Sequence, residues 1–261
     1  MPEQPLVTIV TPSFNQGEFI GETIQSVLNQ TYPNIEYIIV DGGSTDQTRS
    51  VVEQYRQQPG PHQVNVFIQE KDRGQSDAIN KGFRLAKGQL VGWINSDDVL
   101  YPDCVERIVA LYRQKPDGAI YYSTQTDLID RQGRVFDGRD IPISGRSHLL
   151  HRNYDIVQQG SFYATSLVRA VDYLDESVQY CMDLDLWLRL LERGPIYAVT
   201  DGPLSAFRIW ETTKTTTGGN RFLTDIKTIL LRHGASRWSP SVRHVYYESF
   251  KAFVKQTLIR R

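Results

Sequence analysis

The sequence predicts an α/β fold with a mixed, mostly parallel central sheet that is flanked by helices. Between residues 6 and 114, short apolar segments rich in β-branched residues alternate with amphipathic segments of helical periodicity. The apolar segments are nearly continuous, which is typical of strands buried on both faces of a parallel sheet. Polar side chains follow several of these segments at the point where each one ends.

The first two strand–helix units come at the start of the chain. Residues 6–14, LVTIVTPSF, predict a strand, and residues 18–30 place apolar side chains at helical intervals. Residues 35–43, IEYIIVDGG, predict a second strand. Ser, Thr and Asp, which favour helix starts, then open a second helical segment over residues 44–58.

Two further strands are predicted at residues 64–70 and 89–94, with a helix between them over residues 74–88. After about residue 115 the pattern loosens into short strands and loops, so the order of elements is not predicted there. The clearest later signal is residues 182–194, MDLDLWLRLLERG, in which Leu184, Trp187, Leu188 and Leu191 form one apolar helical stripe.

The composition limits the classes of partner. The 261 residues include 29 Lys and Arg against 30 Asp and Glu, and this balance gives no basic field that would gather nucleic acid. No secretory leader and no run of roughly 18 apolar residues is recognised, so we expect a cytoplasmic protein. Cys104 and Cys181 lack the spacing of a zinc site and are expected to be buried thiols.

Residues 232–261 form a basic tail, with seven Lys and Arg residues against Glu248 alone. Aromatic and aliphatic side chains interleave with the basic ones. Two interpretations stay open for this tail. It is either a helix docked on the domain with a solvated charged face, or a helix that contacts anionic lipid at the inner face of a membrane.

Candidate ligand groups collect at one edge of the predicted sheet. Ligands of parallel sheets bind beyond the carboxyl ends of the strands. Thr11–Asn15, Asp41 and Asn95–Asp98 are therefore expected to surround one crevice. Ionised carboxylates such as Asp97 and Asp98 cost on the order of several kcal/mol to bury unless they are paired, so a cation, a base or solvent is expected beside them.

Two common modes of phosphate binding are excluded by the first strand–helix loop. Its sequence, TPSFNQGE, contains neither GxGxxG nor GxxxxGK[ST]. Adjacent acids neutralise phosphate differently, by holding a divalent cation that bridges to diphosphate oxygens. Asp97 and Asp98 are candidates for that role; the alternative is that they only precede the helix that follows Pro102.

Four segments carry a resemblance to a known family: residues 8–48, residues 74–82 (GQSDAINKG), residues 93–98 (WINSDD) and residues 182–190 (MDLDLWLRL). Together, over roughly residues 5 to 215, they resemble the family 2 glycosyltransferases of the GT-A fold, which is a Rossmann-like architecture. The resemblance implies inverting transfer of a sugar from a nucleotide-diphosphate sugar, usually a UDP-sugar, with Mn²⁺ or Mg²⁺.

The same resemblance implies a glycan or lipid-linked acceptor, in the synthesis of polysaccharide, glycolipid or cell-surface glycan. It also implies a domain organisation. Residues 1–215 would form the glycosyltransferase domain, with a nucleotide-binding half over 1–114 and an acceptor-binding half over 115–215. Residues 216–261 would form a helical C-terminal extension.

Roles for individual donor-side residues follow from the resemblance as well. Thr11, Pro12, Ser13 and Asn15 match the loop that lies against the nucleoside. Asp41 matches the acid that hydrogen-bonds the base; the alternative is a turn former with the two glycines that follow it.

The family's metal-binding element falls on residues 95 to 98. Asp97 matches the metal ligand, with Asp98 beside it as a supporting acceptor. Asn95, next to Ser96, stands where the family has a first acid, and its amide can still hydrogen-bond a ribose hydroxyl. The loop that closes over the base in similar proteins contains or adjoins Arg73, Asp77 and Lys81.

On the acceptor side, Asp183 matches the catalytic base, which takes the proton from an acceptor hydroxyl. Asp185 is the competing candidate, although two residues along a helix turn it about 200° away. A plain helix cap is the alternative for Asp183. Trp210 stands where the family often has a metal-binding histidine, so Arg208 and Lys214 are predicted to bring positive charge to the diphosphate.

Two other functions stay open. A sugar nucleotidyltransferase would share the fold, but the glycine-rich basic signature that such enzymes commonly carry after the first strand is missing. A non-catalytic module that binds nucleotide sugars or glycans would keep the fold without turnover. No aromatic sugar platform is predicted, because the following residues are expected in the core: Trp93, Trp187, Tyr121 and Tyr122.

Overall fold

The computed structural model describes residues 4–211, 213 and 218–259, with side chains up to residue 251. The first part of the chain alternates strands and helices as predicted. Its elements are β1 (Val7–Ser13), α1 (Ile20–Leu28), β2 (Ile35–Asp41), α2 (Thr48–Arg56), β3 (Val64–Gln69), α3 (Gln75–Leu85), β4 (Leu90–Trp93), β5 (Val99–Leu100) and α4 (Cys104–Gln114).

The second part is less regular and contains shorter elements. They are β6 (Ile120–Ser123), β7 (Gln125–Ile129), β8 (Val135–Asp140), α5 (Arg146–His151), β9 (Phe162–Ala164), α6 (Thr165–Ala170), α7 (Met182–Leu190), β10 (Ile196–Val199), β11 (Ser205–Arg208), α8 (Gly219–Arg232) and α9 (Pro240–Ile259). The predicted helix at residues 182–194 is thus confirmed as α7.

The main sheet is mixed and mostly parallel, which confirms the predicted fold class. Its strand order is β10-β6-β9-β4-β1-β2-β3. β1 lies between β2 and β4 and is parallel to both, and β9 is antiparallel to its two neighbours. A smaller sheet has the order β5-β11-β7-β8. The carboxyl ends of β1, β2 and β4 therefore meet at one edge.

Alternating side chains of the central strands belong to two separate hydrophobic cores. Val10 and Ile38 belong to the core on one face of the sheet, under α3, α7 and α8. Ile9 and Ile39 belong to the core on the other face, under α1, α2 and α4. Because successive strand residues point to opposite faces, a strand covered on both sides is buried at nearly every position, as β1 and β2 are.

Aromatic residues that were expected in the core are there. Trp93 is 3% exposed, Trp187 is fully buried, and the tyrosines at 121 and 122 are buried as well. Cys104 and Cys181 are buried free thiols, as expected. None of the helices in the described part of the chain combines the length and the apolarity needed to span a bilayer.

The C-terminal helices pack against the rest of the chain. Ile226, Ile229 and Leu230 of α8 are buried in the same core cluster as Trp187 of α7. α9 adds Val242 to that cluster. The described residues 218–259 therefore contain two helices joined by non-helical residues 233–239, and α8 contributes to the main core.

Gly82 allows α3 to pack closely on the central strand β1. A Cβ atom at this position would lie 2.3 Å from Cγ1 of the buried Val10. We expect Gly82→Ala to lower the free energy of unfolding by about 1 to 3 kcal/mol through overpacking, despite the better helix propensity of alanine. Urea unfolding followed by circular dichroism measures this change.

The matched control for that substitution is Gly21 in α1. The nearest atoms to a Cβ atom there belong to Tyr55 and Val51, at 3.5 Å, which is ordinary contact distance. Gly21→Ala should therefore leave stability unchanged or raise it slightly. Equal stability of the Gly82 and Gly21 variants would show that close helix–strand approach is not the constraint at Gly82.

Candidate active site

One cavity of about 660 Å³ opens at the carboxyl-terminal edge of the main sheet. Pro12 and Ser13 line it from the end of β1, and Gly42 lines it from the residue after β2. Asn95, Ser96 and Asp97, which follow β4, also line it. The expected convergence of polar groups on one crevice is therefore present for these residues.

The loops after β1 and β2 are hydrogen-bonded to each other. The backbone N–H of Asn15 donates to Ser44 Oγ at 2.7 Å, and Asn15 Oδ1 accepts from the Thr45 N–H at 2.9 Å. Asn15 has a positive φ of 52°, which asparagine adopts more readily than most residues. Asn15 does not line the cavity; it shapes the loop that does.

Asp41 is fully buried and forms hydrogen bonds beside these loops. Its carboxylate accepts the Ser44 N–H at 3.0 Å and the Gln69 Nε2 at 2.9 Å. Thr11 is also buried, with its hydroxyl 3.0 Å from that of Tyr37. The structure thus places Asp41 and Thr11 behind the cavity wall, where they organise the rim instead of facing a ligand.

Two buried polar atoms of the cavity wall lack a hydrogen-bond partner among the described residues. They are the hydroxyl of Ser13 and the side-chain carbonyl of Gln16. An unpaired buried polar group costs about 1 to 3 kcal/mol, so such groups in a cavity mark positions that a polar ligand would satisfy.

Asp98 is fully buried and does not line the cavity. Its carboxylate accepts the Arg208 N–H at 2.9 Å, Asn95 Nδ2 at 3.0 Å and Gln159 Nε2 at 3.2 Å. Burial and the neighbouring charge of Asp97 raise the pKa of Asp98 well above its ordinary range. Asp98, predicted beside the metal, is thus held behind the cavity wall by three N–H donors, and of the two adjacent acids only Asp97 lines the cavity.

Asp97 does line the cavity. Burial raises the pKa of Asp97, and the hydrogen bond from the Trp210 indole opposes this rise. Trp210 Nε1 lies 3.1 Å from Asp97 Oδ2. The indole packs on Phe19 with 4.8 Å between ring centroids, and the Arg131 guanidinium lies 5.4 Å from the indole ring. Trp210 thus holds one carboxylate oxygen of Asp97 by a hydrogen bond.

The guanidinium of Arg208 points away from the cavity, contrary to the prediction that it brings charge to a diphosphate. Arg208 is fully buried and donates to the backbone carbonyls of Asp97, Asp130 and Arg131 at 2.7 to 3.1 Å. It also pairs with Glu22. With its N–H groups used in this way, Arg208 joins strand β11 to two loops. Lys214 lies outside the described residues.

Arg73, Asp77 and Lys81 form an ion-pair group at the start of α3 and do not line the cavity. Asp77 accepts the backbone N–H of Arg73 at 3.0 Å. Burial opposes ionisation of Asp77, but this hydrogen bond and the charges of Arg73 and Lys81 lower its pKa overall. The loop residues that do line the cavity are Lys71, Asp72, Gly74 and Gln75. The predicted loop thus borders the cavity, but through side chains other than the three that were predicted.

A divalent cation fits this site only if few of its ligands come from protein side chains. The described residues contain no cluster of three or more His, Cys, Asp or Glu side chains suited to a metal. Asn95 Oδ1 already accepts from Gln75 Nε2 at 2.8 Å. Asp97 remains as the strand-end carboxylate in the cavity, and Mg²⁺ is commonly bound by one or two carboxylates together with phosphate oxygens and water.

The two acidic side chains of helix α7 lie in different surroundings. Asp183 lies in the first turn and lines the cavity, and its Oδ1 accepts the Leu184 N–H at 2.8 Å. Cys181, not Asp183, holds the N-cap position. Asp185 is buried on another side, 2.8 Å from Arg189 and 2.9 Å from His233. Of the two acids, Asp183 therefore lines the cavity and Asp185 does not.

The network around Asp185 makes stability depend on pH. Burial opposes its ionisation, but the hydrogen bond with His233 and the charge of Arg189 lower its pKa below the ordinary 3.8. This stabilisation is present above pH 3.8 and is lost as the pH falls through the lower folded-state pKa. Asp185→Asn should therefore cost about 3 kcal/mol at neutral pH and progressively less below pH 4.

Urea unfolding of both proteins across pH 3 to 7 tests this expectation. Asp103→Asn is the control, because Asp103 is half-exposed and pairs with Arg107 at 3.5 Å, where an ion pair contributes little. A constant stability difference between wild type and Asp185→Asn at all pH values would contradict the assignment.

Comparison with known proteins identifies the family. The model of glycosyl transferase family 2 matches residues 8–160. The chain is 34% identical over 192 residues to the chondroitin synthase of Escherichia coli, which covers 73% of this chain and 27% of that protein. It is 38% identical over 200 residues to the putative teichuronic acid biosynthesis glycosyltransferase TuaG of Bacillus subtilis (strain 168), covering 73% and 74% of the two chains. The chain thus spans about a quarter of the first relative's length.

Solved structures share the fold at low identity. S. aureus TarS 1-349 in complex with UDP-GlcNAc superposes with a TM-score of 0.69 at 18% identity, over 95% of this chain and 71% of that one. The mannosyltransferase PcManGT from Pyrobaculum calidifontis, in complex with GDP-Man and Mn²⁺, gives 0.67 at 15% identity, over 97% and 74%. The chain belongs to glycosyl transferase family 2 and has the GT-A fold.

Proposed function

We propose that this chain is an inverting glycosyltransferase that moves a sugar from a nucleotide-diphosphate sugar to an acceptor hydroxyl. One observation carries the proposal. A single cavity is bounded on one side by the strand-end residues, including Asp97, and on another by Asp183 at the start of α7. A donor held at the strand ends would present its reactive carbon to an acceptor beside Asp183.

The donor is proposed to be a UDP-sugar. Pro12, Ser13 and Gly42 would lie against the nucleoside, and the unpaired hydroxyl of Ser13 would gain a hydrogen-bond partner there. Asn95 and Ser96 would face the ribose. The complex of TarS with UDP-GlcNAc supports this choice of nucleotide through the shared fold.

A divalent cation, Mn²⁺ or Mg²⁺, is proposed to bind at Asp97. When bound, it would neutralise charge on the leaving diphosphate. Trp210 would keep the Asp97 carboxylate in place by its hydrogen bond to Oδ2. The Mn²⁺ in the mannosyltransferase complex supports the proposal.

Asp183 is proposed to act as the general base. Its carboxylate would accept the proton of the acceptor hydroxyl while the hydroxyl oxygen attacks the anomeric carbon from the side opposite the diphosphate. That direction of attack inverts the anomeric configuration. The hydrogen bond from the Leu184 N–H would hold one oxygen of Asp183 in a fixed orientation.

The acceptor is proposed to be a glycan or a lipid-linked glycan in polysaccharide synthesis. The names of the E. coli and B. subtilis relatives support this class of product. A sugar nucleotidyltransferase would instead release pyrophosphate from a nucleoside triphosphate. Detection of free UDP as the product separates these two activities.

Substitution of Asp183 and of Asp97 should affect different properties of the protein. Asp183→Asn should reduce UDP release from UDP-sugars about 10²- to 10⁴-fold, while UDP with Mn²⁺ still raises the melting temperature. Asp97→Asn should abolish the Mn²⁺-dependent part of that rise. A thermal-shift panel of UDP-sugars with and without Mn²⁺, combined with a UDP-release assay, measures both effects.

Asp201→Asn is the matched control, because Asp201 is exposed and pairs with Arg107 away from the cavity. Two outcomes would overturn the proposal. If the turnover of Asp183→Asn stays within a few fold of wild type, Asp183 is not the general base. Binding of UDP without any turnover in wild type, for every donor in the panel, would favour a non-catalytic binding module.

We also propose that the basic C-terminal region contacts anionic lipid. Trp238 is 85% exposed, and Tyr247 and Phe250 of α9 are exposed beside Lys251, whose Nζ lies 4.8 Å from the Tyr247 ring centroid. Exposed aromatic residues interleaved with basic ones suit the interface of an anionic bilayer.

Co-sedimentation with vesicles tests this contact. The protein should sediment with vesicles that contain phosphatidylglycerol, and high salt should release it because surface charges are screened. Trp238→Ala should weaken the binding. No sedimentation, or equal sedimentation with neutral phosphatidylcholine vesicles, would contradict a contact based on charge.

A further inference from the structure

The cavity has a second wall that is largely aromatic and apolar. Tyr154 contributes from the segment after α5, and Tyr180 contributes from the residues just before α7. Phe222 and Ile226 contribute from α8. This wall differs from the strand-end side, where polar loop residues predominate, and it includes side chains from the region after residue 215.

Tyr180 and Phe222 form a pair on this wall. Their ring centroids are 6.3 Å apart and their planes meet at 78°, in an edge-to-face arrangement. Both side chains are partly exposed. The Tyr180 N–H donates to the Asp225 carboxylate at 3.1 Å, which ties the loop before α7 to helix α8. The pair is therefore held in place and still open to the cavity.

The position of this pair relates it to the proposed base. Tyr180 precedes Asp183 by three residues, and both line the same cavity. The pair and Asp183 are therefore exposed to the same cavity. Trp187, by contrast, is fully buried and does not line the cavity.

We propose that Tyr180 and Phe222 form the platform on which a sugar ring of the acceptor rests, and this inference depends on the proposed function. Pyranose rings expose patches of C–H groups that pack on the electron-rich faces of aromatic rings, while their hydroxyl groups need polar partners. The exposed side chains of Arg139 and Asp155 line the same cavity and supply such partners.

This mixture of surfaces favours a sugar over a lipid tail as the occupant. A lipid chain would cover Arg139 and Asp155 without offering them polar contacts, whereas a sugar ring uses both aromatic faces and charged groups. It follows that α8 is part of the acceptor site. The C-terminal helices would then determine which acceptor is used.

Saturation-transfer difference NMR tests the platform directly. The probes are the methyl glycosides of glucose, galactose, N-acetylglucosamine and N-acetylgalactosamine, each added with saturating UDP and Mn²⁺. Wild type should transfer saturation to the ring C–H protons of at least one probe. Tyr180→Leu and Phe222→Leu should each weaken binding of that probe about tenfold, whereas Phe222→Trp should retain it.

The control variant is Phe136→Leu, which removes an aromatic ring that is 57% exposed on β8 and does not line the cavity. Thermal unfolding confirms that each variant is folded. Unchanged saturation transfer in both leucine variants, or no transfer from wild type to any probe, would overturn the proposal. Transfer confined to the alkyl chain of octyl glucoside would also overturn it, in favour of a lipid-binding wall.

Calorimetric titration with UDP keeps this test separate from the donor proposal. Tyr180→Leu and Phe222→Leu should bind UDP with wild-type affinity, because both rings lie on the acceptor wall. If wild type binds a methyl glycoside through these rings but does not bind UDP, the proposed donor fails while the sugar platform stands. If UDP binds and the rings have no effect on the sugar, the platform fails alone.

Discussion

The buried carboxylate of Asp98 joins the segments that build the cavity. Its two oxygens accept N–H groups from Arg208 of β11, from Asn95 after β4 and from Gln159 before β9. Its backbone carbonyl accepts the Thr23 hydroxyl of α1 at 2.7 Å. A buried carboxylate is costly unless such donors surround it, so these segments are held together by the requirement to satisfy one group.

Two pairs of acids in this chain are divided in the same way. Asp98 and Asp185 are buried and satisfied by N–H donors or cations, whereas Asp97 and Asp183 line the cavity. The division places one candidate acid at the strand ends and the other at the start of α7, on different walls of one cavity.

The alternation of elements up to residue 114 was predictable because it rests on local periodicity. β2, for example, has four consecutive apolar residues at 37–40, and helices such as α1 carry one apolar face. The polar residues at the strand ends could be assigned to one edge because parallel strands share it. Arg208 was misplaced because its hydrogen-bond partners, at residues 22, 97, 130 and 131, are distant in sequence.

The sequence by itself determined the α/β class, the strand edge that carries the cavity and the acids from which the site is chosen. It could do so because hydrophobic period and strand direction are local properties of the chain. The tertiary structure alone decided which member of each acid pair faces the cavity, and that Tyr180 and Phe222 form its second wall. Those outcomes depend on packing between α7, α8 and the β11 strand. Contacts between elements that are distant in sequence cannot be derived from the spacing of residues along the chain.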